Sequence, residues 1–198
     1  MYESTGLYGK SRVFKTVLST GEVVRKTPFL ESRFFGEGMT VLNEDMYQLT
    51  WHEGKAFVYD KNSFAPKKNF LYAKQGWGLT SDGKYLIMSN GSATLAFRDP
   101  QSFKIVRTIP VTAGATQISS INELEYIEGM IYANIWPTSI IVIISPQTGE
   151  IQAWFSLKEK PPACADCVAN GIAWNQQENL IYVTGKYWPN LYAIRIIK

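Results

Sequence analysis

Gly36-Glu37-Gly38-Met39-Thr40, Trp77-Gly78-Leu79-Thr80, Asn122-Glu123-Leu124-Glu125 and Asn170-Gly171-Ile172-Ala173 open four segments in one manner: a small or turn residue, an apolar residue, then a strand-like run. Aligning Gly38, Gly78, Glu123 and Gly171 gives spacings of 40, 45 and 48 residues. A period of this size filled with strand-like sequence marks a β-propeller, in which each repeat is one four-stranded blade. Residues at the repeat openings of such a fold gather at one end of a central channel. A carboxylate, an amide and several tryptophans stand at those openings.

The repeats carry a second shared signature. Asp60-Lys61-Asn62-Ser63, Asp99-Pro100-Gln101-Ser102 and Ser145-Pro146-Gln147-Thr148 each fall between the third and fourth strands of a repeat. One turn chemistry recurring in register is stronger evidence than any single motif. Strand runs such as Met46–Trp51, Ala56–Asp60, Tyr85–Ser89 and Met130–Trp136 alternate or carry β-branched and aromatic residues, as half-buried strands joined by hairpins do. Counting strands predicts three complete blades and two incomplete ones. Leu7 to Phe29 holds only the later strands of a blade, and the last repeat stops after three. The expected fold is an all-β, five-bladed propeller forming a single domain over residues 1–198, lacking its N-terminal closing strand. On this reading further sequence precedes Met1, so the absence of an export signal does not settle the compartment; a signal on a longer form would make the protein secreted or periplasmic.

Composition narrows the function classes. The 198 residues carry a net charge of +3 with no basic run, so neither nucleic acid nor a membrane surface is expected as a partner. Aromatic residues reach 14%, with 6 Trp, which suits sheets packed through aromatic side chains. The longest apolar run, Ile140–Ile144, is of strand length and far short of a membrane span. Cys164 and Cys167 form a lone C-x-x-C. Without a second ligand pair, and with the only histidine, His52, in another repeat, it reads as a loop-stapling disulfide or an inert pair ahead of a metal or redox site. No Ser-His-Asp set, phosphate loop or metal-ligand cluster is present.

The ordered motifs Tyr2-Glu3-Ser4-Thr5-Gly6-Leu7-Tyr8-Gly9, Phe35-Gly36-Glu37-Gly38, Leu49-Thr50-Trp51, Gly76-Trp77-Gly78-Leu79-Thr80-Ser81-Asp82-Gly83, Ile121-Asn122-Glu123-Leu124-Glu125, Ala133-Asn134-Ile135-Trp136 and Asn170-Gly171-Ile172-Ala173 resemble those of the plant and bacterial type of glutaminyl-peptide cyclotransferase. The resemblance implies a five-bladed propeller that converts an N-terminal glutamine of peptides or proteins to pyroglutamate with release of ammonia, without cofactor or catalytic metal. It implies Glu37 as catalytic acid/base, Phe35, Trp51, Trp77 and Trp136 as pocket walls, Asn122 as a binder of the substrate amide, and Lys186 as a polar group at the rim. That family's opening Phe-Thr-Gln-Gly-Leu segment has no counterpart here, which leaves a non-catalytic propeller binding a peptide terminus or small ligand as the alternative. A monomer is expected.

The chemistry agrees with these residue types. A single carboxyl group between nucleophile and leaving group accepts the first proton and delivers it to the departing nitrogen, and apolar neighbours favour its protonated form. An aromatic enclosure holds a flat amide and excludes water. An asparagine offers that amide both a donor and an acceptor. Trp154 and Trp174 read as blade packing. His52, one residue past Trp51, is expected on the opposite face of the strand from it.

Overall fold

The computed structural model describes residues 1–157 and 167–196 of the chain. Among them there is no helix; twenty strands form five successive antiparallel sheets and one small hairpin. The first sheet joins β1 (Tyr2–Thr5), β2 (Arg12–Thr16) and β3 (Val23–Lys26). The second runs β4 (Gly36–Leu42), β5 (Asp45–Thr50), β6 (Lys55–Asp60) and β7 (Pro66–Leu71) in sequence order. The third comprises β8 (Leu79–Ser81), β9 (Leu86–Met88), β10 (Thr94–Arg98) and β11 (Ile105–Pro110). After the hairpin of β12 (Thr112–Ala113) and β13 (Thr116–Gln117) comes the fourth, of β14 (Ile121–Ile127), β15 (Met130–Ile135), β16 (Ile140–Ile144) and β17 (Ile151–Ser156). The fifth holds β18 (Ala169–Asn175), β19 (Leu180–Gly185) and β20 (Tyr192–Ile194). The three complete and two shorter sheets match the strand count expected from the repeats. The hairpin was not foreseen, because two-residue strands carry no alternation to detect.

The recurring turn explains part of the regularity. Asp60 Oδ1 accepts from the backbone N–H groups of Asn62 and Ser63 and from Ser63 Oγ at 3.1, 2.7 and 2.8 Å. Asp99 does the same with Gln101 and Ser102 at 3.1, 2.8 and 2.8 Å. In both turns these bonds hold the exposed carboxyl below its ordinary pKa. The next residue swings to positive φ, at Phe64 (64°), Phe103 (58°) and, in the fourth sheet, Gly149 (80°). Its N–H returns to the carbonyl of the turn's first residue. Phe64 and Phe103 thereby bury their rings, so an unusual backbone conformation is offset by core packing.

The chain divides into two compact units, Met1–Met88 with Arg98–Ile105, and Ser89–Phe97 with Val106–Lys198. In the first, Leu42, Tyr47, Leu49, Val58, Leu79, Leu86, Met88 and Phe103 form one core, and Val13, Met46, Tyr59 and Phe64 another. In the second, Ile127, Ile141, Leu157, Ile172, Ile181 and Val183 pack together, with Trp174 partly buried against them. Trp154 departs from its expected packing role: it is 65% exposed on β17, the outermost strand of its sheet.

Three first strands share a defect in their ladders. Gly36 pairs with Thr50 and Met39 with Gln48; Ile121 pairs with Ile135 and Leu124 with Ala133; Ala169 pairs with Gly185 and Ile172 with Val183. Each first strand advances three residues while its neighbour advances two, which is one inserted residue and defines a β-bulge. The inserted pairs are Glu37-Gly38, Asn122-Glu123 and Asn170-Gly171. Gly38 is required sterically: a Cβ there would lie 2.6 Å from both the carbonyl oxygen of Trp77 and the backbone nitrogen of Leu79. Its own N–H donates to that Trp77 carbonyl at 2.7 Å.

In the second unit the bulge ties the fourth sheet to the fifth. Asn134 Oδ1 accepts from Gly171 N at 3.2 Å, Glu125 Oε1 from Trp174 N at 2.9 Å, and the Glu123 carboxyl from Ile172 N. Glu123 is half-buried as a residue, but its Oε2 is sealed from solvent and has no hydrogen-bond partner among the described residues. Burial, reinforced by the neighbouring Glu125, pushes its pKa well above the usual carboxylate range, against a smaller opposite pull from the N–H groups of Ile172 and Leu124.

Two outcomes follow from this packing. Gly38→Ala forces backbone apart at a contact that has no slack, and its unfolding free energy in urea is expected to fall by about 2 kcal/mol or more. Because Glu123 holds its proton more tightly folded than unfolded, its contribution to stability is present below the ordinary glutamate pKa and is lost as pH rises. Glu123→Gln, which cannot ionise, is expected to lose less stability than the parent between pH 4 and pH 7, read from urea midpoints; an identical loss in both proteins would contradict the assignment.

Candidate functional site

The bulges decide where the candidate residues stand. In the second sheet Trp51 N donates to Phe35 O at 2.9 Å just beyond the Gly36–Thr50 pair, so Phe35, Glu37 and Trp51 cluster around one bulge. In the fourth, Trp136 N donates to Ser120 O at 2.9 Å beyond the Ile121–Ile135 pair, which sets Asn122 beside Trp136 in the same way. In the fifth, Lys186 N donates to Val168 O at 2.9 Å beyond the Ala169–Gly185 pair. One niche, a bulge plus the residue that closes the ladder, thus recurs three times. Its positions hold Glu37 with Trp51, Asn122 with Trp136, and Asn170 with Lys186.

Within the first unit an aromatic set flanks the bulge that carries Glu37. The rings of Phe35 and Trp51 meet edge to face with centroids 5.7 Å apart, and Tyr8 packs on the other side of Phe35 at 5.3 Å. Trp51 Nε1 and Trp77 Nε1 donate at 2.9 and 2.8 Å to the same atom, Gln75 Oε1. The Glu37 backbone is pinned from the other side: Ser4 Oγ donates to its carbonyl at 2.5 Å and itself accepts from Gln48 Nε2 at 2.9 Å. Gln48 is fully buried, and Tyr59 Oη donates to its Oε1 at 3.3 Å. A chain of side-chain hydrogen bonds therefore runs from the core to the backbone of the bulge.

Tyr72 supports the same region. Its hydroxyl donates to the Thr50 carbonyl and accepts from Thr50 N at 3.1 Å, bracing the residue before Trp51. Burial pushes its phenol up to about 12; its bonds to Thr50 and the Arg98 guanidinium oppose this, and the Glu37 carboxylate adds a smaller upward push.

Within the second unit, Asn122 is 6% exposed and its carbonyl accepts from Ser89 Oγ at 2.6 Å. Lys186 Nζ stands 4.7 Å from the centroid of the Trp136 ring, a cation–π contact that pairs two of the expected residues. Trp136 precedes a cis peptide bond to Pro137.

Several expectations change. His52 is not across the strand from Trp51: the two rings lie 3.8 Å apart, because both follow the end of β5 at Thr50, where alternation no longer applies. Trp77 precedes β8. Cys167 is disulfide-bonded, while Cys164 lies outside the described residues. Among the described residues no group of three or more His, Cys, Asp or Glu side chains could hold a metal ion.

Gln75, Tyr8, Ser4, Tyr72 and Glu53 were not singled out in the sequence. Glu53 accepts from Tyr8 Oη at 3.2 Å and from Phe35 N at 3.3 Å. Gln75, directly before the Gly76-Trp77 motif, and Ser4 and Tyr8, inside the Tyr2–Gly9 motif, had a positional hint but no assigned role. All but Gln75 act across distances of 18 to 45 residues, which no local pattern reports.

Known proteins place this geometry. The crystal structure of Myxococcus xanthus glutaminyl cyclase superposes with a TM-score of 0.90 at 30% identity, covering 98% of this chain and 84% of that one. The fold is accordingly a five-bladed β-propeller. A glutaminyl-peptide cyclotransferase of Arabidopsis thaliana is 38% identical over 205 residues; the match takes in 99% of this chain, which spans 63% of that relative's length. The WD40 propeller domain of Doa1, at 13% identity and a TM-score of 0.57, shares the fold alone. The family model described as glutamine cyclotransferase matches residues 1–196, and the chain belongs to that family.

Proposed function

We propose that this chain converts the N-terminal glutamine of peptides or proteins to pyroglutamate, releasing ammonia, with Glu37 as the general acid/base. What supports the reading is the place of Glu37 on the first bulge: Ser4 Oγ holds its carbonyl, Gly38 N binds the Trp77 carbonyl, and the ladder beside it is closed by Phe35 and Trp51. A carboxylate carried on backbone held in this way, next to aromatic residues, suits proton transfer at a fixed point.

In the proposed reaction the neutral α-amine attacks the side-chain amide carbon, forming the ring C–N bond. Glu37 accepts the proton lost by the amine and returns it to the amide nitrogen as the C–NH2 bond breaks and ammonia departs. The carboxylate is regenerated, so no co-reactant is consumed. Because nucleophile and electrophile belong to one residue, most of the rate gain comes from selecting the reactive rotamer and excluding water, tasks suited to indole and phenyl faces. The reading gives Asn122 the role of pairing with the substrate amide, Trp136 that of an aromatic wall, and Lys186, held against Trp136, that of a polar contact at the rim.

The direct test follows ammonia release from a glutaminyl dipeptide. Glu37→Gln preserves shape but cannot accept the proton, and its kcat/KM is expected to fall by about 10²–10⁴-fold with an unchanged melting temperature. Peptide binding without any ammonia release in the parent protein would establish a binding propeller in its place. Since the attacking amine must be neutral, kcat/KM is expected to rise with pH up to the amine pKa near 8 and to level off above it.

A further inference from the structure

Gln75 stands between β7 and β8, half-buried, after Lys74 at a φ of 69°. The segment it belongs to is docked on one tryptophan and continuous with another. Gly76 N donates to the Trp51 carbonyl at 2.9 Å, and Trp77 receives Gly38 N on its own carbonyl at 2.7 Å. The Gln75 side chain closes the arrangement by meeting both indoles at a single atom, 2.9 Å from Trp51 Nε1 and 2.8 Å from Trp77 Nε1.

The identity of that atom follows from chemistry. An indole N–H only donates, so the group facing two of them must be the amide oxygen, and the amide NH2 must point away. An oxygen with two lone pairs satisfies both donors at once. Each indole N–H is then held at the same point, and the two side chains are restrained relative to each other because they share the acceptor. Trp51 also meets Phe35, so the restraint extends along the aromatic set to the residue two before Glu37. Removing the oxygen leaves two half-buried donors unpaired at one place.

We propose that Gln75 is a positioning residue, whose side-chain oxygen locks Trp51 and Trp77 into one aromatic wall and so sets the shape in which a substrate side chain is received. The role in substrate reception rests on the function proposed above; the locking of the two indoles does not. Gln75 itself touches no reacting atom in this assignment. An acceptor is what the position requires, so glutamate serves there and an apolar residue of similar size does not.

The test separates the two parts. In ¹⁵N–¹H spectra without substrate, the protein shows six indole N–H signals, assignable by single Trp→Phe substitutions. Gln75→Leu is expected to move the Trp51 and Trp77 signals upfield together, leaving those of Trp136, Trp154, Trp174 and Trp188 in place. Gln75→Glu is expected to keep both signals downfield at neutral pH and to make both, and no others, follow the carboxyl as it titrates under acid. Movement of one signal alone in the leucine variant overturns the shared-acceptor assignment, as does failure of either signal to titrate in the glutamate variant. The second measurement decides the matter even where Gln75→Leu does not fold. With a glutaminyl dipeptide, Gln75→Leu is expected to raise KM about tenfold, equivalent to about 1.4 kcal/mol, with kcat changed less than about threefold, and Gln75→Glu to restore KM. Unchanged KM in the leucine variant of an active protein overturns the positioning role. An inactive parent with the expected spectra removes the proposed reaction and leaves the locked indoles standing.

Discussion

A single extra residue in the first strand of a sheet is the constraint on which the rest turns. An antiparallel ladder alternates its side chains strictly, and every residue in it is committed to one face or the other. The insertions at Glu37-Gly38, Asn122-Glu123 and Asn170-Gly171 break that commitment, each pair facing one residue of the neighbouring strand. A side chain at such a place is aimed by the bend of the backbone and not by the pleat.

Such a bend has to be held, and the two units hold it differently. Around Glu37 the support is a relay of neutral groups, Tyr59 to Gln48 to Ser4 to the bulge carbonyl, with glycine making room for Trp77. Around Asn122 a serine again takes the bulge carbonyl, but the neighbouring residue is a glutamate whose carboxyl is drawn inside to reach a backbone N–H of the next sheet. The first arrangement uses no ionisable carboxyl in its relay. The second accepts a carboxyl that favours its proton in exchange for a tie between sheets.

The fold was legible because its evidence is periodic. Openings spaced by 40 to 48 residues and a turn motif repeated three times specify the blade without any contact being known. The turn even carried its own reason: Asp60 and Asp99 organise the backbone locally, so their chemistry is written in four consecutive residues. Bulges were invisible for the complementary reason. An inserted residue changes pairing with another strand, and nothing in Gly36-Glu37-Gly38 announces which residue of β5 it will face. The same limit hid Tyr8, Ser4 and Glu53. His52 shows alternation carried one residue too far, past the end of the strand that enforces it. Trp154 shows a large apolar residue assigned to packing without regard to its strand being outermost.

The threefold niche bears on how propellers of this kind diverge. The ladder-closing residue contributes its main chain to the fold, through Trp51 N, Trp136 N and Lys186 N, while its side chain is left for other uses. An indole or a long cation fills that slot with the same backbone bond. The side chain in that slot can therefore change from one repeat to the next, by point substitution, while the backbone bond stays the same. Descendants of one ancestral module could in this way acquire unlike ligand chemistry while remaining superimposable.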